Sequence, residues 1–230
     1  MNAPDGAIFP YRAARSYPEK SIASREPFAI MYHGSIVERN GLDLAVEALA
    51  RVHKSIPSAE LRVYGRSTPF LEQVMRRVKD LNLEQKVRYL GAKRLEELVQ
   101  EIEACDVGVI PNQRNSFTDI NTPTRIFEYL ALGKPVIAPR TPGIQDYFGP
   151  QELLFFDAGR AEQLGEQLQY VYSNPREAMD TAERGQQIYL AHTWKSVTRR
   201  FRTSVDYKSE GHRVRPLLQR QSPENVGCRH

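Results

Sequence analysis

Thr124 and Glu128 stand four residues apart in the stretch NTPTRIFEYLALGKPVIAPRTPG, residues 121–143, and that spacing puts them on one helix face. Ile126, Phe127, Leu130 and Ala131 supply the apolar stripe of the same helix, and Gly133 supplies its stop. At its start, Thr122 is placed to act as N-cap and Pro123 to take the first helical position, where a missing N–H costs nothing. Free backbone N–H groups and the helix dipole make that end attractive to an anion such as a diphosphate. A carboxylate one turn further in can accept hydrogen bonds from two neighbouring ribose hydroxyls. The chemistry this spacing suits is the holding of a sugar nucleotide.

Such a helix needs a scaffold, and the rest of the chain alternates strand and helix. FAIMYHG is a short apolar run ending in Gly34, and Leu42, Ala45, Val46 and Leu49 then follow a helical period. ELRVYG is a second strand, followed by Leu71, Val74, Met75 and Val78 on one helix face. KVRYLG is a third, followed by Leu95, Leu98, Val99 and Ile102. DVGVI and PVIA bracket the loop and helix of the opening motif, and LLFF is a last strand before Leu164, Leu168 and Val171. The pattern predicts an α/β domain with a doubly wound parallel sheet, Rossmann-like, with extra C-terminal helices. In an open sheet of this kind, ligands bind at the carboxyl ends of the strands near the switch in strand order. Four loops converge there: those after Gly34, Gly65 and Gly91, and the segment from Pro111 to Thr124. Gly34 and Gly41 bracket a turn where backbone can approach phosphate closely.

PTRIFEYLALGKPVIA resembles the donor-site segment of the retaining glycosyltransferases called group 1, or family four, of the two-domain GT-B fold. MYHGSIVERNGLDLAVEALA resembles that family's first strand, glycine turn and helix. LRVYGRS, VRYLGAK and DVGVIPN resemble the three following strand ends, and HTWKSVTRRF the closing helix. The resemblance runs from about residue 1 to about 205 and identifies the chain with the C-terminal, donor-binding domain. It implies that Glu128 holds the ribose and that Gly34, Gly41, Gly65, Pro111, Thr122, Pro123 and Thr124 shape the donor site. Ala92 and Lys93 would sit near the base.

Three positions depart from the family pattern. Where the family places an Arg after the first Gly and a Lys before the second, this sequence has Ser35 and Asn40. Arg39 is next door and is the expected cation on the diphosphate, with Arg66 and Arg125 as the other candidates. The family's first Glu, eight positions before Glu128, falls on Ile120, so Asp119 or Asn121 would take its role unless backbone N–H groups do. Arg39 and Glu128 are thus the expected catalytic pair, Arg39 acting with helix N–H groups on the departing diphosphate.

The composition excludes several alternatives. No apolar run approaches the ~20 residues of a membrane helix, and the first residues lack the apolar core of a secretory signal. Cys105 and Cys228 form no spaced framework, which suits a reduced cytoplasmic setting. The formal charge of +4 leaves peripheral association with an anionic inner membrane face open, beside the plainer reading of a solvated basic surface. Nucleic acid is not expected as a partner. His33, His53, His192, His212 and His230 are scattered without ligand spacing, so neither a metal nor another cofactor is expected. Among them only His33 lies near the glycine turn. A dinucleotide fingerprint and a Gly-x-Ser-x-Gly turn are both absent.

Residues 1–27, with Pro4, Pro10, Pro18 and Pro27 among polar neighbours, read as an interdomain-type linker; 28–205 form the nucleotide-sugar-binding domain. From about 175 the chain turns helical, with Trp194, Val197, Phe201 and Val205 on one face, and 206–230 read as a disordered tail. The opening MNAPDGAIFPYR resembles the connector that follows the family's first domain, so the acceptor-binding domain is expected either from a separate polypeptide or from a longer reading frame of which this is a truncated or misassigned part, and the isolated chain is expected to be inactive. The expected function is transfer of a sugar from a nucleoside-diphosphate sugar to a glycan or lipid-linked acceptor in polysaccharide biosynthesis. Two rivals stand beside it: a non-catalytic module binding a nucleotide or partner, and a GT-B sugar-nucleotide epimerase.

Overall fold

The computed structural model describes residues 4–14 and 26–193. Six strands form one all-parallel sheet: β1 Phe28–His33, β2 Ala59–Tyr64, β3 Val87–Tyr89, β4 Val107–Val109, β5 Val136–Pro139 and β6 Leu154–Phe156. Their order across the sheet is β3-β2-β1-β4-β5-β6, so the winding reverses between β1 and β4. Helices α1 Leu42–Val52, α2 Pro69–Asp80, α3 Leu95–Glu103, α5 Thr124–Ala131, α7 Ala161–Ser173 and α8 Pro175–Ala191 are the longer ones. Two short ones, α4 Ser116–Ile120 and α6 Pro142–Gln145, lie on either side of α5 in sequence. The doubly wound α/β fold read from the alternation is the one observed.

All six residues of β1 are buried, as expected of a strand covered on both sides. Phe28, Ile30 and Tyr32 join one core with residues of α1, α2 and α7. Ala29 and Met31 join the other, with residues of α3, α5 and α8. That division follows from the two-residue period of a strand. β1 pairs with β2 from Phe28↔Ala59 to His33↔Tyr64, which brings the two strand ends level. Asp106 Oδ2 accepts from Ala29 N at 2.7 Å just ahead of β4, tying the start of that strand to β1.

The start of α5 differs from the sequence reading. Pro123 is the N-cap (φ −61°, ψ 127°), and Thr124 is the first helical residue. The Thr122 hydroxyl donates to Gly143 O at 2.5 Å and is thereby committed to the loop after β5. The Pro123 carbonyl instead accepts from Ile126 N at 3.1 Å. Gly133 ends the helix as read, with φ +69° and its N–H on Leu130 O.

Residues 4–14, read from sequence as linker, lie against this domain, with Phe9 and Ala14 buried. Arg12 N donates to Ala131 O at 2.7 Å. Gln186 on α8, fully buried, gives its amide hydrogens to Arg12 O and Leu130 O and accepts from Ala14 N and the Tyr11 hydroxyl. One buried amide thus has its whole bonding capacity filled. The apolar stripe expected at Trp194, Val197, Phe201 and Val205, and the tail 206–230, lie outside the described residues.

Candidate functional site

A cleft of about 540 Å³ opens at the carboxyl ends of β1 and β2, beside the point where strand order reverses. Its walls are the turn Gly34–Val37, the loop Gly65–Thr68, the pair Ala92–Lys93 with Leu95 and Leu98 of α3, and Arg125 and Glu128 of α5. His33 and Tyr64, the last residues of β1 and β2, complete it.

The loops that build this cleft interlock through backbone. Gly65 could carry no side chain, since a Cβ there would lie 2.3 Å from Gly34 O. The Tyr89 hydroxyl donates to Gly65 O at 2.9 Å, and the Thr68 hydroxyl donates to Ile36 O at 2.7 Å while capping α2. Ser35 O accepts from the Tyr32 hydroxyl and from Asn40 Nδ2, both at 2.8 Å. Gly41 holds φ +67°, and a Cβ there would fall 1.8 Å from Pro111 O.

Arg125 lies across the switch point. Its Nη1 donates to His33 O at 2.7 Å and its Nη2 to Asn112 Oδ1 at 2.9 Å. The guanidinium carbon stands 5.4 Å from the Tyr32 ring centroid, within cation–π range. One side chain therefore joins α5, the end of β1 and the loop after β4. Arg66 forms no ion pair or hydrogen bond among the described residues, and Lys93 Nζ is 3.8 Å from Glu101 Oε1.

Glu128 sits one turn into α5 with its side chain only 15% exposed, and its Oε2 is 3.4 Å from His33 Nε2. Burial pushes the Glu128 carboxyl up to about 7, with the Arg125 charge opposing the rise. Burial also pushes the His33 imidazole down to about 3, and here Arg125 acts in the same direction. The distance is that of an ion pair, but His33 is uncharged near neutral pH, so the contact is not one.

The structure brings eight of the sequence-read residues to this cleft: Gly34, Ser35, Gly65, Arg66, Ala92, Lys93, Arg125 and Glu128. It sets others outside the wall. Arg39 is exposed, its guanidinium carbon 5.5 Å from the ring centroid of Phe117. Asn40, Gly41 and Pro111 support the turn from behind through the contacts above. Asp119 accepts from Arg114 Nε at 3.1 Å, and Asn121 is the C-cap of α4. Thr122, Pro123 and Thr124 form the approach to α5.

Sequence reasoning passed over Asn112 and gave His33 little weight. Strand parity places His33 on the same side of the sheet as Ala29 and Met31, which is the side α5 covers. Among the described residues no group of three His, Cys, Asp or Glu side chains is arranged to hold a metal, and no helix is long and apolar enough to cross a membrane.

Known proteins resemble this chain in both sequence and fold. It is 29% identical over 110 residues to the GDP-mannose-dependent alpha-(1-6)-phosphatidylinositol monomannoside mannosyltransferase of Mycolicibacterium smegmatis, a match spanning 47% of this chain. The curated relatives it matches are covered over only 30% and 28% of their own length. Its fold is similar to that of Anabaena HepE, solved in complex with UDP, with a TM-score of 0.72 at 17% identity, covering 91% of this chain and 56% of that one. It is also similar to the C-terminal domain of the group 1 family glycosyl transferase LpcC from Francisella tularensis, with a TM-score of 0.66 at 18% identity, covering 83% of this chain and 98% of that one. The family model for glycosyl transferases group 1 matches residues 15–188, and the chain belongs to that family.

Proposed function

We propose that this chain is the donor-binding half of a retaining glycosyltransferase and that the cleft at the ends of β1 and β2 receives a nucleoside-diphosphate sugar. The observation that carries this reading is the placing of one largely buried carboxylate, Glu128, beside Arg66, Lys93 and Arg125 in a single cleft. A nucleoside diphosphate offers a matching pair of features, a ribose diol and a diphosphate. The Glu128 carboxylate accepts from the two ribose hydroxyls. Arg66 and the backbone of the Gly34–Ser35 turn face the diphosphate, joined by the N–H groups of Thr124 and Arg125 at the start of α5, which have no intrahelical acceptors.

As the sugar–phosphate bond lengthens, negative charge collects on the leaving diphosphate while the sugar acquires oxocarbenium character. Arg66 and those N–H groups are already aimed at the charge that develops, so they stabilise the transition state without reorganising. Arg125 acts mainly through the backbone it braces, because both of its terminal nitrogens are engaged. A glycan or lipid-linked hydroxyl, held by a separate acceptor-binding domain, then attacks within the orientation the two halves impose.

Two features of related proteins support the reading. HepE has been solved in complex with UDP-glucose, and the mycobacterial relative is GDP-mannose-dependent. The test is calorimetric titration of the purified chain with UDP-, GDP- and ADP-sugars and the corresponding nucleosides. Micromolar binding of one of these series, lost in Glu128→Ala, supports it; no binding by any of them overturns it. Multiple-turnover transfer by the chain alone would overturn the separate acceptor domain.

A further inference from the structure

His33 ends β1 with its side chain 4% exposed, and its Nε2 points at Glu128 Oε2 across 3.4 Å. The alignment falls short of a hydrogen bond, so this buried nitrogen has no hydrogen-bonded partner among the described residues. A buried polar atom in that condition is costly unless it serves another group. The imidazole is fixed in place from two directions. The Tyr129 ring packs edge-on at 4.9 Å between centroids, with its hydroxyl on Met31 O, and Arg125 holds the His33 carbonyl. Among the described residues, the carboxyl within ion-pair distance of it is that of Glu128.

We propose that Glu128 and His33 hold one proton between them, and that this proton leaves when a ribose diol takes the Glu128 carboxylate. The inference rests on the donor-site reading above and deepens it. With the cleft closed to charge on His33, the proton resides on the Glu128 carboxyl, whose Oε2 stands 3.4 Å from Nε2. His33 is a positioning residue: it turns one carboxyl oxygen inward and leaves the other facing the cleft. When the diol docks, the Glu128 O–H bond breaks, the proton passes to solvent, and two hydroxyls donate to the resulting carboxylate. The groups around this pair are Arg125 on α5, Tyr32 and Tyr64 at the ends of β1 and β2, Tyr129, and Arg66 and Lys93 on the facing loops. Their cations oppose a charge on His33 and favour the ionised carboxyl, so departure of the proton is the permitted direction. The rise of the Glu128 carboxyl to about 7 agrees with a proton held near neutral pH.

The experiment is calorimetric titration of the whole chain with UDP-glucose and GDP-mannose in two buffers of unequal ionisation heat, from pH 6 to 8. These diphosphate diesters have no proton of their own to lose in that range. The expected result at pH 7 is release of about half a proton per ligand bound, with affinity falling about tenfold from pH 8 to pH 6. Glu128→Gln should release none. His33→Ala, which removes Nε2 and admits water, should move the pH midpoint downward and weaken binding about tenfold at pH 8. His33→Gln, with an amide near the same point, should stay within about threefold of the parent. A uniform loss at every pH in His33→Ala, or ligand binding without proton release, overturns the inference and leaves the donor site standing. The proton count in the unsubstituted chain decides the matter even if His33→Ala does not fold. A chain that binds an ADP-sugar instead is titrated with that ligand in the same two buffers; if no UDP-, GDP- or ADP-sugar binds, the donor reading falls, and this inference falls with it.

Discussion

Arg125 Nη2 donates to Asn112 Oδ1 across 2.9 Å, and that bond joins the helix of the proposed donor site to the loop after β4. Asn112 is 4% exposed, so its acceptor has little access to water once the guanidinium is gone. Arg125→Met should cost about 1–3 kcal/mol for each acceptor it orphans, here Asn112 Oδ1 and His33 O. Thermal unfolding at pH 7 measures it. A loss below about 0.5 kcal/mol, the range of an ordinary surface change, would show that the brace is dispensable.

The acid–base behaviour of the domain should reflect two opposed groups. Glu128 is neutral more readily in the fold than in the unfolded chain, so its contribution to stability is full below 4.5 and is lost as pH rises through about 7. His33 is also held neutral, so its contribution is full above 6.5 and is lost as pH falls towards about 3. The two are worth roughly 3 and 5 kcal/mol at full extent, and between pH 4.5 and 6.5 they oppose each other. Glu128→Gln should therefore become less stable steadily as pH falls from 6.5. His33→Gln should instead become less stable as pH rises from 4.5 to 7. Urea unfolding at several pH values checks both signs; parallel curves for the two variants would refute the assignment.

Nucleotide recognition should separate the cations of the turn. Arg66 lines the cleft and Arg39 stands over Phe117 outside it. Arg66→Ala should weaken a nucleoside diphosphate by about 1.5–3 kcal/mol while leaving the nucleoside nearly unchanged. Arg39→Ala should leave both within about 0.5 kcal/mol. Calorimetric titration with matched pairs of nucleoside and diphosphate decides between them, and a larger diphosphate loss in Arg39→Ala would reverse the order proposed here.

Gly41→Ala combines an unfavourable backbone with a collision, since φ is +67° and the new Cβ would meet Pro111 O at 1.8 Å. The change should cost about 2 kcal/mol or more. It should also loosen the contact between the turn and the segment after β4, which amide exchange at Asn112 and Gln113 would report. Normal stability would mean that the loop after β4 yields freely.

The sheet was legible because each strand is a short apolar run closed by a turn, and each following helix repeats its apolar residues with the helical period. The cleft was legible in part, since Gly34, Gly65 and Glu128 sit at strand ends or near a helix start, where their position follows from the fold. Side-chain direction was less accessible. Arg39 and Arg66 both flank glycine turns, and spacing gives their reach without showing which one points inward. Thr122 had two partners within range, the free N–H groups at the start of its own helix and Gly143 O, and the loop after β5 that settles the choice is twenty-one residues away. His33 was obscured because every position of β1 is buried, so the strand shows no polar face against which to read it.

Gln186 gives the domain a mechanical property. Its side chain fastens Arg12 O and Ala14 N to Leu130 O, while Arg12 N holds Ala131 O directly. The C-terminal end of α5 is thus riveted to residues 12–14, and Glu128 and Arg125 ride within two turns of that end on the same short rod. A displacement of residues 12–14 should therefore carry to Arg125 and Glu128, since both stand on the helix those bonds hold. Freeing that rivet by Gln186→Ala should let the rod tilt, and the proposed donor site should then lose its geometry without any of its own residues being touched.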